Sequence, residues 1–137
     1  MPDVMNPQDA LIYTMVLASV AEGSISDLEL ETMSRVVQTL PAFEGFSPSR
    51  INELGADCAE LLRREDGLDL AIDAIKASLT GPLRETAYAF ACDVVAADGK
   101  AVESELRLLE LLRHELEIER LVAAGIERGA QARHRRV

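Results

Sequence analysis

The chain has 137 residues, of which 48% are hydrophobic and only 4% aromatic, with no tryptophan. This length is enough for one domain with a buried core, so we expect residues 1–137 to form a single domain with aliphatic side chains between its helices. No segment approaches the ~18 consecutive apolar residues that a transmembrane helix needs. The polar N-terminus does not resemble a secretory signal. The sequence therefore predicts a cytoplasmic protein without a transmembrane segment.

The net charge of −10 is unevenly distributed. The basic tail, residues 128–137, has four arginines and no acidic residue, so residues 1–127 carry 10 basic and 24 acidic side chains, a charge of −14. An acidic surface repels nucleic acid and attracts cations or basic proteins. We therefore expect no nucleic-acid partner for the acidic body. We expect the tail to be a frayed helix end with solvated arginines, and the alternative is a tether to RNA or phospholipid. The partner protein and the oligomeric state stay open.

The apolar residues recur every three or four positions, which predicts helices, and no segment alternates as a strand would. Residues 7–22 are apolar on nearly every face, which predicts a buried central helix that Gly23 ends. The second helix is expected over residues 26–40. Ser26 and Glu29 are spaced as a capping box at its start.

Five further helices are predicted along the rest of the chain. The third begins at Ser47-Pro48, with serine as the cap and proline at the first helical position. The fourth follows the break at Asp66-Gly67. The fifth is expected at about 82–97, the sixth carries a leucine stripe that ends at Leu116, and the seventh is expected over 117–131. Cys58 and Cys92 lie in apolar helical contexts and match no metal or redox spacing, so we expect two buried, reduced thiols.

One segment occurs twice in the chain. Residues 21–30, AEGSISDLEL, recur as residues 97–106, ADGKAVESEL, so that Glu22 and Asp98 are equivalent at an offset of 76 positions (98 − 22 = 76). Each copy lies between two apolar helical segments, which predicts a helical hairpin with an acidic residue–Gly turn. The sequence therefore predicts an all-α fold, a single compact bundle of about seven helices with two pseudo-symmetric helical hairpins.

Each turn is followed six residues after its glycine by a glutamate, Glu29 or Glu105, that lies in the apolar stripe of the next helix. A carboxylate in such a stripe points back toward the turn and needs a partner there. One alternative is helix capping, which Ser26 completes in the first copy. In the second copy Val102 replaces that serine, so we expect Glu105 to lack the reciprocal capping role. The other is a bound divalent cation, and oxygen ligands alone predict Ca²⁺ or Mg²⁺.

The second turn matches half of a known calcium loop. Asp98-Gly99-x₅-Glu105 has the spacing of the second half of an EF-hand, but Val94 and Ala96 stand where that loop needs oxygen ligands. A true EF-hand is therefore not expected, and a site would need another arrangement of carboxylates. The candidate metal ligands are Asp98, Glu105, Asp93 and Glu103 at the second turn and Glu22 and Glu29 at the first.

Signatures of catalysis are missing from the sequence. No phosphate-binding glycine loop, hydrolytic triad, zinc-protease motif or Glu-x-x-His pair occurs, so the sequence predicts no enzymatic activity and no cofactor other than a divalent cation. Any function must therefore depend on the acidic turns or on the charged surface.

The paired Asp/Glu-Gly-x₅-Glu turns between apolar helices, especially within residues 87–116, resemble the TerB family of TerB-like tellurite-resistance proteins. The resemblance covers about residues 8–130. It implies a bundle of about seven helices, acidic clusters proposed to bind divalent metal, and a stress-response role without known catalysis. The motif positions carried over are Glu22, Gly23 and Glu29, and Asp98, Gly99 and Glu105.

One departure from the family pattern concerns the first turn, where Glu22 replaces the usual Asp. The longer side chain suits a tight turn less well. The resemblance thus implies a non-enzymatic stress-response module that binds Ca²⁺ or Mg²⁺ at its acidic turns. The alternative is a metal-free protein–protein interaction scaffold that uses its acidic face.

Overall fold

The computed structural model describes residues 4–21, 24–97, 99 and 101–137. Within these residues the chain forms seven α-helices and one short 3₁₀ turn, and it has no strand. The predicted all-α bundle of about seven helices is confirmed. No helix in this part of the chain is long and apolar enough to cross a membrane. The helices are α1 (Pro7–Val20), α2 (Asp27–Thr39), α3 (Arg50–Leu62), α4 (Gly67–Ser78), α5 (Gly81–Ala96), α6 (Glu103–Glu115) and α7 (Arg120–Arg133), and the 3₁₀ turn is Pro41–Phe43.

Helices α1 and α5 form the centre of the bundle and pack against each other. Both are buried on most of their faces, as the all-round apolar pattern predicted for α1. The buried hydroxyl groups of α1 are satisfied within the helix, since Thr14 donates to the Ala10 carbonyl at 2.8 Å and Ser19 to the Val16 carbonyl at 2.9 Å. Burial of each large aliphatic side chain here contributes about 1.5–3 kcal/mol. The core is thus built around these two helices.

The repeat in the sequence is a repeat in the structure. Helices α2 and α6 each have 13 residues, and both of their ends are offset by 76 positions. Their N-caps, Ser26 and Val102, have φ of −76° and −84° and the same ψ of 161°. Because α3 packs on α1 and α7 packs on α5, each copy is a unit of three helices rather than a hairpin of two.

Two predicted helix starts were wrong. Helix α3 begins at Arg50, because the hydroxyl of Ser47 bonds the hydroxyl of Ser49 at 2.8 Å and so caps no helical N–H group. Helix α7 begins at Arg120, where the Glu119 carboxylate accepts the N–H groups of Leu121 and Val122 at 3.2 Å each. These local side-chain bonds determine both boundaries.

The basic tail is more ordered than the sequence suggested. Helix α7 continues to Arg133, whose guanidinium Nη2 lies 2.7 Å from Asp93 Oδ1 on α5. His134 Nε2 lies 3.3 Å from the same oxygen. The prediction of a frayed end was wrong up to His134, because the acidic partner lies 40 residues away along the chain and only the packing of α7 on α5 brings it near.

Candidate functional site

The first acidic turn leads into a complete capping box at the start of α2. The Ser26 N–H donates to Glu29 Oε1 at 2.8 Å, and the Glu29 N–H donates to Ser26 Oγ at 3.1 Å. Glu29 is fully buried, with 0% of its surface exposed. The capping prediction for this turn is confirmed, and it fixes the position of the carboxylate.

The second oxygen of the same carboxylate is the unusual feature. Glu29 Oε2 is buried and has no hydrogen-bond partner among the described residues. Leaving a buried polar atom unsatisfied costs about 1–3 kcal/mol, and more for a charged group. Glu22 and Gly23, the acidic residue and glycine of this turn, lie outside the described residues. Oε2 is therefore the atom at which a cation would offset the cost of burial.

The second turn repeats half of this arrangement. Glu105 is 1% exposed, and its Oε1 accepts the Val102 N–H at 3.1 Å. The expectation that Glu105 lacks the reciprocal capping role was wrong, because the donor is the main-chain N–H of the N-cap residue, which valine also provides. Valine has no side-chain acceptor, so the other half of the box is not formed. Gly99 has a φ of 74°, the left-handed conformation expected for the glycine of this turn.

The other two candidate ligands of the second turn are engaged elsewhere. The Asp93 side chain is 14% exposed and pairs with Arg133, whereas the Glu103 side chain is 78% exposed and lies 2.6 Å from Arg107. Within residues 4–21, 24–97, 99 and 101–137, no group of three or more His, Cys, Asp or Glu residues could hold a metal ion. Asp98 lies outside these ranges. The structure thus places the two repeated glutamates in equivalent buried positions and ties Asp93 and Glu103 to arginines.

Comparison with known proteins agrees with this geometry. The family model described as tellurite resistance protein TerB matches residues 8–126, which is most of the chain. The chain belongs to the TerB family. No curated protein and no solved structure shows significant similarity to it. The TerB match includes both three-helix units and both acidic turns, except for the last residues of α7.

The structure of this TerB-family chain also contains a partly open cavity that the sequence analysis missed. A cavity of about 340 Å³ lies between α5, α6 and α7. On its floor the Tyr88 hydroxyl donates to Glu127 Oε2 at 2.5 Å. Burial, and then this hydrogen bond, raise the pKa of Tyr88. The repeat in the sequence could have indicated this polar pair, because Tyr88 and Glu127 occupy the positions equivalent to Ile12 and Ile51 of the first copy.

A second polar cavity lies on the other side of the bundle, between α1, α3 and α4. It has a volume of about 390 Å³ and contains the ion pair between Arg50 and Asp9, at 3.0 Å. Asp9 Oδ1 is buried without a hydrogen-bond partner among the described residues. Arg50 also lies 5.5 Å from the centre of the Phe46 ring. These contacts hold the first turn of α1 against the start of α3, which is a structural role.

Proposed function

We propose that this TerB-family chain is a non-enzymatic, cytoplasmic stress-response module that binds a divalent cation, Ca²⁺ or Mg²⁺, at its acidic hairpin turns. The observation that supports the proposal best is the buried carboxylate of Glu29, which has one oxygen held by the Ser26 N–H and one oxygen without a hydrogen-bond partner among the described residues. A hard cation prefers such carboxylate oxygens.

We rank the candidate ligands by their place in the repeated turn and by the ion pairs they already make. At the first turn we propose Glu29 with Glu22, and at the second turn Glu105 with Asp98, because each pair combines the acidic residue of the turn with the buried glutamate that follows it. Glu103 would join only by leaving Arg107, and an exposed pair of this kind contributes about 0–1 kcal/mol, so the exchange is inexpensive.

Asp93 is the least suitable of the candidate ligands. Its carboxylate is largely buried and already faces His134, which is also largely buried, and Arg133, which is about half exposed. A cation at Asp93 would have to displace α7 from α5 locally, which would cost the packing of that helix. We therefore place Asp93 outside the proposed ligand set and assign it the anchoring of α7.

Thermal unfolding of chelator-treated protein tests the proposal. A cation that binds only the folded state stabilises it by about 2.7 kcal/mol at 100 times its Kd, so the Tm should rise with Ca²⁺ or Mg²⁺. Glu29→Gln should weaken the rise but keep the capping box, because glutamine can accept the Ser26 N–H. Glu31→Gln is the matched control, since Glu31 is exposed on the same helix and pairs with Arg35. A Tm that neither ion changes would overturn the proposal.

The metal-free scaffold is the second candidate function. It is favoured by the ion pairs of Asp93 and Glu103, which leave fewer carboxylates of the second turn available to an ion. The charge of −14 on residues 1–127 would attract a basic partner over a long range. In this case binding to a basic partner would weaken steeply with salt and would not depend on Ca²⁺ or Mg²⁺.

A further inference from the structure

The α5–α7 groove is the cavity between α5, α6 and α7, with its floor on α5 and its walls on α6 and α7. Helices α6 and α7 both pack on α5 but make almost no contact with each other. The groove opens into a second cavity of about 520 Å³, which shares Ala96, Ala101 and Gln131 with it. From Glu127 to His134 the α7 wall is about 10 Å long at 1.5 Å per residue, or two helical turns.

The first copy of the repeat contains an equivalent groove that serves as an internal reference. Its cavity, of about 290 Å³, is lined by Val16, Ile25, Leu30, Met33, Ile51, Asn52 and Gly55. The residues 76 positions after each of these, except Asn52, line the α5–α7 groove. The two grooves are therefore the same feature of the fold in two copies. Differences between them show what is particular to the second.

Three of the differences widen the second groove. Small alanines line it where the first copy has larger aliphatic residues at the equivalent positions. The pairs, with the first copy given first, are Val20 and Ala96, Ile25 and Ala101, and Leu54 and Ala130.

Three other differences give the second groove hydrogen-bonding and charged groups. Tyr88, Arg113 and Glu127 line it, and the equivalent residues of the first copy are Ile12, Val37 and Ile51. The Tyr88 hydroxyl donates to Glu127 Oε2 and so fixes this carboxylate. A carboxylate fixed between apolar walls is complementary to a cationic group with an apolar stem, such as an arginine or lysine side chain.

The charged side chains differ between the two sections of the groove. Glu110, Arg113 and Glu127 line one section, and His134, Arg135 and Arg136 line the open section next to Gly99. An occupant must therefore be elongated and apolar on one face, with a basic group toward Glu127 and acidic groups toward Arg135. A purely apolar small molecule would use neither charge.

We propose that the α5–α7 groove binds an amphipathic helix of a partner protein, with a basic residue at Glu127 and acidic residues at Arg135 and Arg136. Helix-in-groove recognition uses apolar anchors on successive turns, and the groove provides two turns of length and the space that α6 and α7 leave between them. This proposal rests on the scaffold candidate above, for which the groove is the binding surface and the amphipathic helix is the partner. Cation binding is not required for it.

A designed peptide tests the inference on the full chain. The probe is a labelled 16-residue helical peptide, with leucines on one face, one arginine in the centre of that face and two glutamates at one end, and binding is followed by fluorescence anisotropy. We expect saturable binding that falls at least about tenfold with Glu127→Gln or when the peptide arginine is replaced by glutamate. Ala101→Ile, which restores the residue of the first copy at an exposed position, should weaken binding by narrowing the groove.

The matched control is Asp73→Asn. Asp73 is an exposed acidic residue of α4, and the substitution removes the same charge at a position far from the groove along the chain. It should leave the affinity unchanged. Equal losses of affinity with Asp73→Asn and Glu127→Gln would overturn the proposal that the groove is the binding site. The scaffold candidate would then be supported by overall charge alone. Absence of saturable binding would also overturn the proposal. So would sedimentation showing a dimer that Glu127→Gln dissociates, because the occupant would then be a second copy of the chain.

Discussion

Glu29 and Glu105 occupy the same position in two copies of one structural unit. Each is the third residue of its helix, each is buried, and each accepts the main-chain N–H of the residue three positions before it, at 2.8 and 3.1 Å. The two caps differ in the return bond, which Ser26 makes and Val102 cannot. A single serine hydroxyl thus separates a complete capping box from half of one.

This difference predicts that Val102→Ser stabilises the protein. Val102 already has the backbone conformation of Ser26 and is 36% exposed, so the substitution loses little burial and adds a cap bond to the Glu105 N–H. A serine cap contributes about 1 kcal/mol, and we expect a rise of that size in the free energy of unfolding, measured with urea. The mirror substitution, Ser26→Val, should lower it by a similar amount. A decrease with Val102→Ser would contradict the equivalence of the two caps.

A second prediction concerns two glycines that differ in their surroundings. A Cβ atom at Gly67, in the first turn of α4, would overlap the carbonyl oxygen of Leu61, which belongs to the backbone and cannot move aside. Gly67→Ala should therefore destabilise the protein by several kcal/mol, at or beyond the upper end of the ~0.5–3 kcal/mol range of ordinary substitutions. At Gly55, inside α3, a Cβ meets nothing within 4 Å, so Gly55→Ala should stabilise by about 0.5–1 kcal/mol.

Urea unfolding of both glycine variants gives the comparison directly, because each adds a single methyl group. Equal effects at the two positions would show that the close approach of Gly67 to Leu61 is not rigid.

The third prediction is that Asp93 anchors the end of α7. Asp93→Asn removes the charge that holds Arg133 and His134, so amide hydrogen exchange should accelerate over residues 130–134 and the Tm should fall by a few degrees. Glu103→Gln is the control, because it breaks an exposed pair with Arg107 and should change stability by less than about 0.5 kcal/mol. Unchanged exchange at 130–134 in Asp93→Asn would show that apolar packing alone holds this end.

The fourth prediction is a loss of stability at alkaline pH. Burial raises the pKa of the thiols of Cys58 and Cys92 from 9.0 to about 12 each. Because the folded state holds these protons more tightly, the stability they contribute is complete below pH 9 and is lost as pH rises from about 9 to 12. Each thiol should lower the free energy of unfolding by about 1.4 kcal/mol per pH unit in that window.

Denaturant melts at pH 8, 9.5 and 11 check this dependence. The double variant Cys58→Ala, Cys92→Ala should start less stable and lose stability less steeply, since Tyr88 still titrates abnormally. If the free energy of unfolding falls equally steeply with pH in the double variant and in the wild type, other groups cause the loss of stability at alkaline pH.

Much of the fold could be predicted from the sequence because the repeat and the apolar spacing are local patterns. The all-apolar segment of α1, the Ser26–Glu29 spacing and the glycine at 99 each predict their structure from neighbouring residues alone. The start of α3 was mispredicted because the Ser47 hydroxyl bonds the Ser49 hydroxyl instead of a helical N–H group. Local competition of this kind is not visible in residue type.

Less of the candidate site could be predicted, because it depends on contacts between distant segments. Asp93 was a reasonable ligand as the isolated charge of a buried helix, but only the packing of α7 shows that its partner is Arg133. The pair of Tyr88 and Glu127 is likewise separated by 39 residues. Comparing the two copies position by position would have found it, since both residues replace isoleucines.

Calorimetric titration of chelator-treated protein with Ca²⁺, and separately with Mg²⁺, is the most direct test of the proposed function. We expect saturable binding to the wild type and a marked loss of affinity in Glu29→Gln, with the capping box and the cation-free stability retained. Binding should be unchanged in Glu31→Gln. No binding heat with either ion, or equal affinity in the wild type and Glu29→Gln, would contradict a cation site at the buried glutamate of the first turn.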